Sequence, residues 1–178
     1  MFNSTLQARP AKICVIRLSA IGDTCHALAV VRRLQDNWPD AAITWIIGKT
    51  EAKLLSDIPD VEFIIFDKSK GRGAYKDVQI ALSNRQFDVA LCMHASMRAN
   101  FLYRKIQAPI RLGYDRDRAV DFQWLFTNRR IAAVKSQHVL EAMMSFAAAI
   151  GAEPQPIRWD IPLDVNARDF AADFKSSN

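Results

Sequence analysis

Short apolar runs alternate with helix-like spacings from residue 12 to residue 114, and that order leaves few folds open. Residues 12–17 (KICVIR), 42–48 (AITWIIG), 62–66 (EFIIF), 87–93 (FDVALCM) and 110–114 (IRLGY) lack polar alternation. They read as strands buried on both faces. Between the first two, a helical pattern begins at Asp23, with Ala27, Val30, Val31 and Leu34 at i, i+3, i+4 and i+7; Pro39 stops it. Further helices are expected over 49–56, from Val78 to about Arg85, and over 96–107. Strands alternating with helices build a parallel sheet covered on both faces. Right-handed crossovers then give an α/β, Rossmann-like doubly wound domain. Ligands in such sheets sit outside the carboxyl ends of the strands, which directs attention to loops 18–24, 48–50, 67–73, 93–98 and 113–121.

A last long helix is expected over 136–150, with Val139, Met143, Phe146 and Ile150 on its core face and Gly151 at its end. Pro154, Pro156 and Pro162 then mark a linker, followed by a weak helical pattern from Ala167 to Phe174. The expected division is a domain over 1–152, then a Pro-rich linker over 153–178 leading toward a second domain. Half of the 178 residues are hydrophobic, which excludes disorder as the dominant state. No apolar run is long enough for a transmembrane helix, and the first residues carry no apolar signal region. Cys14, Cys25 and Cys92 are odd in number and widely spaced, which suits neither a disulfide framework nor a zinc site. A cytoplasmic location is expected.

The net charge of +5 is unevenly spread. Residues 98–135 carry nine basic against three acidic groups, whereas 136–178 carry three against six. The excess is local. It reads either as a solvated basic face or as the docking surface of an anionic partner. Within it, DFQWLFTNRR (121–130) has three readings. Trp124, Leu125 and Phe126 pack in the core, or the aromatics and arginines meet an anionic membrane, or they bind RNA. No known RNA-binding motif supports the last, and no nucleic-acid partner is expected.

The loop RLSAIGD (17–23) is the most informative stretch. It is neither GxGxxG nor GxxxxGK[ST], so neither a standard dinucleotide site nor a P-loop is present. It sets Ser19 and Asp23 at the mouth of the sheet, beside the free N–H groups of the next helix. Asp23 reads either as the helix N-cap or as a catalytic carboxylate able to take a proton from a substrate hydroxyl. His138 and Glu141 share one helix face three residues apart, which points to capping or interdomain contact more than to a metal pair.

The stretch ICVIRLSAIGDTCHALAVVRRLQDNWPDAAITWIIG resembles the opening of family 9 glycosyltransferases, the heptosyltransferases of lipopolysaccharide inner-core assembly. Arg17, Ser19, Gly22, Asp23, His26, Pro39 and Trp45 stand at the positions of that pattern, and Ala20 replaces its frequent second serine. FDVALCMHASMRANFL (87–102), RLGYDRDRAVDFQWLFTNRRI (111–131) and HVLEAMMSFAAAIG (138–151) resemble further family segments in the same order. Cys92, His94 and Ala95 depart from the usual Asp, Gln and Gly. The resemblance implies the N-terminal, acceptor-binding half of a GT-B enzyme. Its donor, ADP-heptose, would be held by a C-terminal domain. It implies inversion at the anomeric carbon without a metal or other cofactor, and an anionic, phosphorylated lipopolysaccharide core as acceptor, with peripheral contact at the inner membrane. Asp23 would be the catalytic base, and Ser19 and Gly22 would shape the acceptor site. Lys68, Lys70, Arg72, Arg98, Arg116 and Arg118 would meet acceptor phosphates or carboxylates. The alternative is a non-catalytic, solitary binding module derived from such a domain.

Overall fold

The computed structural model describes residues 9–55, 57–162 and 165–176. Ser56, the expected end of the second helix, and the first eight residues lie outside them. The elements are β1 (Lys12–Ile16), α1 (Ile21–Asn37), β2 (Ala42–Gly48), α2 (Lys49–Leu55), β3 (Val61–Phe66), α3 (Arg72–Ala81), β4 (Val89–Cys92), α4 (Met97–Tyr103), β5 (Ile110–Gly113), β6 (Arg129–Arg130), α5 (Val139–Ala149) and α6 (Val165–Ser176). All six strands are parallel and lie in the order β3-β2-β1-β4-β5-β6. The doubly wound sheet expected from the alternation is present.

Strand periodicity divides the core. Ile13, Val15, Ile43, Trp45, Ile47, Val89 and Leu91 face α1 and α5. Their neighbours Cys14, Ile16, Ile46, Ala90 and Cys92 face α3 and α4. Both faces are apolar because both carry helices, which is why these strands show no polar alternation in sequence. Cys14 and Cys92 are free thiols, and burial raises the pKa of both, so neither is a reactive nucleophile.

Several expectations need correction. The sixth strand, Arg129–Arg130, was not foreseen, because two exposed arginines at a sheet edge carry no strand signal. Trp124 and Leu125 are not core residues: they sit exposed on a short 3₁₀ turn, and only Phe126 is half-buried. Val139 is exposed, whereas Met143, Phe146 and Ile150 line the core as expected. The segment over residues 68–73, read as a loop, holds a 3₁₀ turn (Lys68–Lys70) and the start of α3.

The Pro-rich segment after α5 is strapped to α1. Arg32 donates to the carbonyls of Trp159 (3.1 Å) and Asp160 (2.8 Å), and Arg33 to that of Gln155 (3.1 Å). Asn37 accepts from Glu153 N (2.7 Å), and Arg158 pairs with Asp36 and Asp160. Gly48, at the end of β2, packs against the loop after β1. Its N–H donates to Leu18 O (3.0 Å), and a Cβ there would overlap Leu18 O and the Glu51 carboxylate. Backbone cannot retreat as a flexible side chain can. Gly48→Ala is therefore expected to cost about 1–3 kcal/mol, seen as a drop of several degrees in melting temperature. An unchanged melting curve would show that the loop after β1 yields freely.

Candidate active site at the carboxyl ends of the strands

Crossovers run one way from β1 to β2 and β3 and the other way from β4 to β5 and β6, so the crevice opens between β1 and β4. Three chain segments meet there. The first follows β1. Arg17 donates from Nη1 to Met93 O (2.7 Å) and forms an ion pair with Asp23 through Nη2. Its side chain is largely buried, and that of Asp23 is partly exposed.

Asp23 is not the helix cap. The N-cap is Ala20, which has no capping side chain, and Asp23 is the third residue of α1. Its carboxylate turns to Arg17 instead. Ser19 precedes a cis peptide to Ala20, and its backbone lies against the His94 imidazole. Gly22 is exposed, and a Cβ on it would meet nothing within 4 Å, so nothing among the described residues requires glycine there.

The second segment follows β4. His94 is partly buried beneath the loop, and its backbone carbonyl accepts from the Tyr103 hydroxyl (2.5 Å). Burial first, and then the Arg17 charge, push the His94 pKa down from 6.5 to about 4; Ser19 and Asp23 oppose this weakly. The imidazole is therefore neutral near pH 7. Arg98 is exposed on α4 close enough to add to that repulsion.

The third segment follows β5. The Tyr114 hydroxyl donates to Met93 O (3.3 Å), the carbonyl that also holds Arg17. Buried Gln123 ties the segment down by accepting from Tyr114 N (3.0 Å) and donating to Cys92 O (2.8 Å). Arg118 lies over the Tyr114 ring at 6.0 Å. Its guanidinium pairs with buried Asp115 and donates to Gln137 (2.8 Å) and Ala132 O (3.1 Å). All three of its nitrogens serve the fold, while Arg116 is exposed.

Lys68, Lys70 and Arg72 lie elsewhere, after the edge strand β3. Two inter-strand spacings, roughly 10 Å, separate β3 from β1. Lys68 and Arg72 are exposed, and Lys70 pairs with Asp77 at 2.7 Å. Lys49 and Ser69 hold the Asp67 carboxyl down at about 2. The structure thus gathers Ser19, Asp23 and Arg98 around Arg17, His94 and Tyr114, with Arg118 behind, and sets the lysine loop to one side. Arg17 and His94 were not among the site residues expected from sequence, although Arg17 directly follows β1 and His94 lies two residues past β4. His138 and Glu141 form a capping box on α5, and the His138 ring meets His26, one turn beyond Asp23, at 5.8 Å. Among the described residues, no group of three or more His, Cys, Asp or Glu is placed to hold a metal ion.

Residues 77–178 match the family model described as glycosyltransferase family 9 (heptosyltransferase). The chain belongs to glycosyltransferase family 9. It is 41% identical over 165 residues to the lipopolysaccharide core heptosyltransferase OpsX of Haemophilus influenzae, covering 93% of this chain and 48% of that protein. It therefore spans about half the length of the curated relative it matches. Among solved structures it resembles the E. coli heptosyltransferase WaaC with ADP, with a TM-score of 0.74 and 21% identity over 84% of this chain and 51% of the other. A family 9 glycosyltransferase from Veillonella parvula gives a TM-score of 0.77 and 21% identity over 94% and 49%. The fold of this family 9 chain is thus the Rossmann-like doubly wound sheet of the GT-B heptosyltransferase structures.

The His94 environment has a consequence for stability. Its folded pKa lies below the unfolded value, so the unfolded chain binds the proton more readily between pH 6.5 and 4. The stabilisation is complete above about pH 6.5 and is lost as pH falls toward 4, a swing on the order of 3 kcal/mol. Melting temperature should therefore fall between pH 7 and 4.5, and fall less in His94→Gln. Parallel pH profiles for the two proteins would contradict the assignment.

Proposed function

We propose that this chain is the acceptor-binding, N-terminal half of an inverting, metal-independent heptosyltransferase that moves heptose from ADP-heptose to a hydroxyl of the lipopolysaccharide inner core. The Arg17–Asp23 ion pair at the crevice between β1 and β4 carries this reading. Family membership supports the reaction class, and the named activity of the OpsX relative supports the sugar and the acceptor. Residues 1–152 form the acceptor domain, and 153–178 lead toward a donor-binding domain.

Asp23 acts as general base. The acceptor oxygen attacks the anomeric carbon, the bond from that carbon to the diphosphate oxygen breaks, and ADP leaves from the opposite face with the electron pair. The hydroxyl proton passes to the Asp23 carboxylate. Arg17, clamped to Met93 O, holds Oδ2 of that carboxylate, and Oδ1 lies outside that bond. Neutral His94 adds no second positive charge beside the pair. Ser19 and Gly22 border the acceptor. Arg98, Arg116, Lys68 and Arg72 present exposed charge to its phosphates and carboxylates, while Lys70 and Arg118 are held in ion pairs with Asp77 and Asp115. An acceptor of this kind brings the chain to the cytoplasmic face of the inner membrane.

Two measurements test the reading. In a full-length protein containing this chain, Asp23→Asn keeps the side-chain size and loses a partly exposed ion pair, so stability should fall by only about 1 kcal/mol. Transfer should slow by roughly 100- to 10,000-fold. A stable and fully active variant would remove Asp23 from the chemistry. Separately, the 178-residue chain alone should bind ADP with a dissociation constant no tighter than about millimolar, since the donor belongs to the other half. Micromolar binding by calorimetry would overturn that division of labour.

A further inference from the structure

Residues 153–160 leave α5 and run back along the second half of α1, the helix that begins with Ile21 at the crevice and ends at Asn37. The Asn37 amide closes a two-way bond with Glu153, accepting from its N–H (2.7 Å) and donating to its carbonyl (3.2 Å). Arg33 donates to Gln155 O (3.1 Å). Arg158 grips both carboxylate oxygens of Asp36, through Nε at 3.1 Å and through Nη2. Arg32 is only 5% exposed, and each of its three nitrogens donates. Nε bonds Trp159 O (3.1 Å), Nη2 bonds Asp160 O (2.8 Å) and Nη1 bonds the Gln35 side chain (3.0 Å).

A buried guanidinium is costly unless its N–H groups find acceptors, and here two of the acceptors are successive carbonyls of the segment itself. Ordering a segment costs conformational entropy, and Pro154 and Pro156 lower that cost by restricting the unfolded chain. The grip ends abruptly. Asp160 takes a left-handed backbone (φ 42°), and Ile161 is partly buried against the core. Beyond it, every described side chain of α6 is exposed, with Phe170 at 73% and Phe174 at 63%. Among its described residues, α6 adds nothing to the core. The chain that leads to α6 is nevertheless bolted to the helix that carries Asp23.

We infer that residues 153–160 are the mount of the donor-binding half, and that Arg32 and the Asp36–Arg158 pair are positioning residues for transfer. α1 is a single 17-residue helix with Asp23 near one end and the mount at the other. The distance from Asp23 to the point where the chain departs is therefore set by a helix. A free flexible linker of the same length would let its ends wander over roughly 15 Å. Attack on an anomeric carbon tolerates far less, since a misplacement of about 1 Å can cost on the order of 100-fold in rate. The inference rests on the proposed division into acceptor and donor halves, but not on the role of Asp23.

Arg158→Asp sets a carboxylate opposite Asp36 and should release the segment. Both side chains are partly exposed, so the melting temperature should fall by only a few degrees. In the 178-residue chain, chymotrypsin should cut after Trp159 about tenfold faster in this variant, because Arg32 and Arg158 hold the peptide on either side of that bond. Adding Asp36→Arg to Arg158→Asp restores the pair in reverse and should return the slow rate. In a full-length protein containing this chain, Arg158→Asp should enlarge the radius of gyration seen by solution scattering. It should also lower kcat by about tenfold. KM for each substrate should stay within about twofold, because each half keeps its own contacts. The double variant should recover both kcat and the compact shape. Cleavage, scattering and kcat all unchanged in Arg158→Asp would overturn the inference. So would a raised acceptor KM with unchanged scattering, since the pair would then act on the acceptor site through α1. A full-length wild-type protein without transferase activity would count against the proposed function alone, and cleavage and scattering would still decide whether the segment is a mount.

Discussion

The crevice exists because β1 has parallel neighbours on both sides. Parallel strands cannot be joined by tight turns; each pair needs a crossover, and right-handed crossovers place successive helices on one face. From β1 the chain winds outward through β2 to β3, returns to β4, and winds the other way through β5 to β6. Loops leaving β1 and β4 are thereby carried apart, and the gap between them is where the backbone of one meets the side chains of the other. Burial of β1 on both faces, with Ile13 and Val15 on one side and Cys14 and Ile16 on the other, holds that arrangement rigid.

Met93 O is the point where the three site segments join. It accepts from Arg17 after β1 and from Tyr114 after β5, and it belongs to the chain just past β4. A buried carbonyl with two donors fixes their relative positions. Arg17 carries that position on to Asp23, so the orientation of the carboxylate depends on the end of β4 as much as on its own helix. His94, next along the chain, is kept neutral by burial and by the same arginine. A second cation there would compete with Arg17 for Asp23. The region is therefore polar and closely coupled, with a single ion pair at its centre.

The helices on the α1 face are tied to this centre from behind. Residues 153–160 run along α1 through Arg32, Arg33 and Asn37, and α5 packs against α1 with His138 touching His26. Burial lowers the pKa of Arg32, and its carbonyl partners at Trp159 and Asp160 compensate for the lost water. Prolines that read as a linker are, over these residues, a bonded strap, because fixed φ suits an extended segment whose carbonyls accept from another element's donors. Among the described residues, no helix is long and apolar enough to cross a membrane.

The sequence by itself determined the sheet. Apolar runs such as ICVI and TWII bury on both faces whatever their neighbours, and the helices between them leave parallel pairing as the way to satisfy the backbone. It also determined that Asp23 stands at the head of the first helix, since a strand read over 12–17 and a helical pattern that begins at Asp23 permit little else. Tertiary structure decided the rest. Whether Asp23 caps its helix or turns to Arg17 depends on Met93, which is 70 residues away and invisible to local spacing. The environment of His94 was decided in the same way by loops brought together from three strands. Trp124 and Leu125 are as hydrophobic as any core residue, and only the docking of their turn beside α4 put them on the outside. Hydrophobicity states that a side chain gains by leaving water; it does not state which surface will take it in.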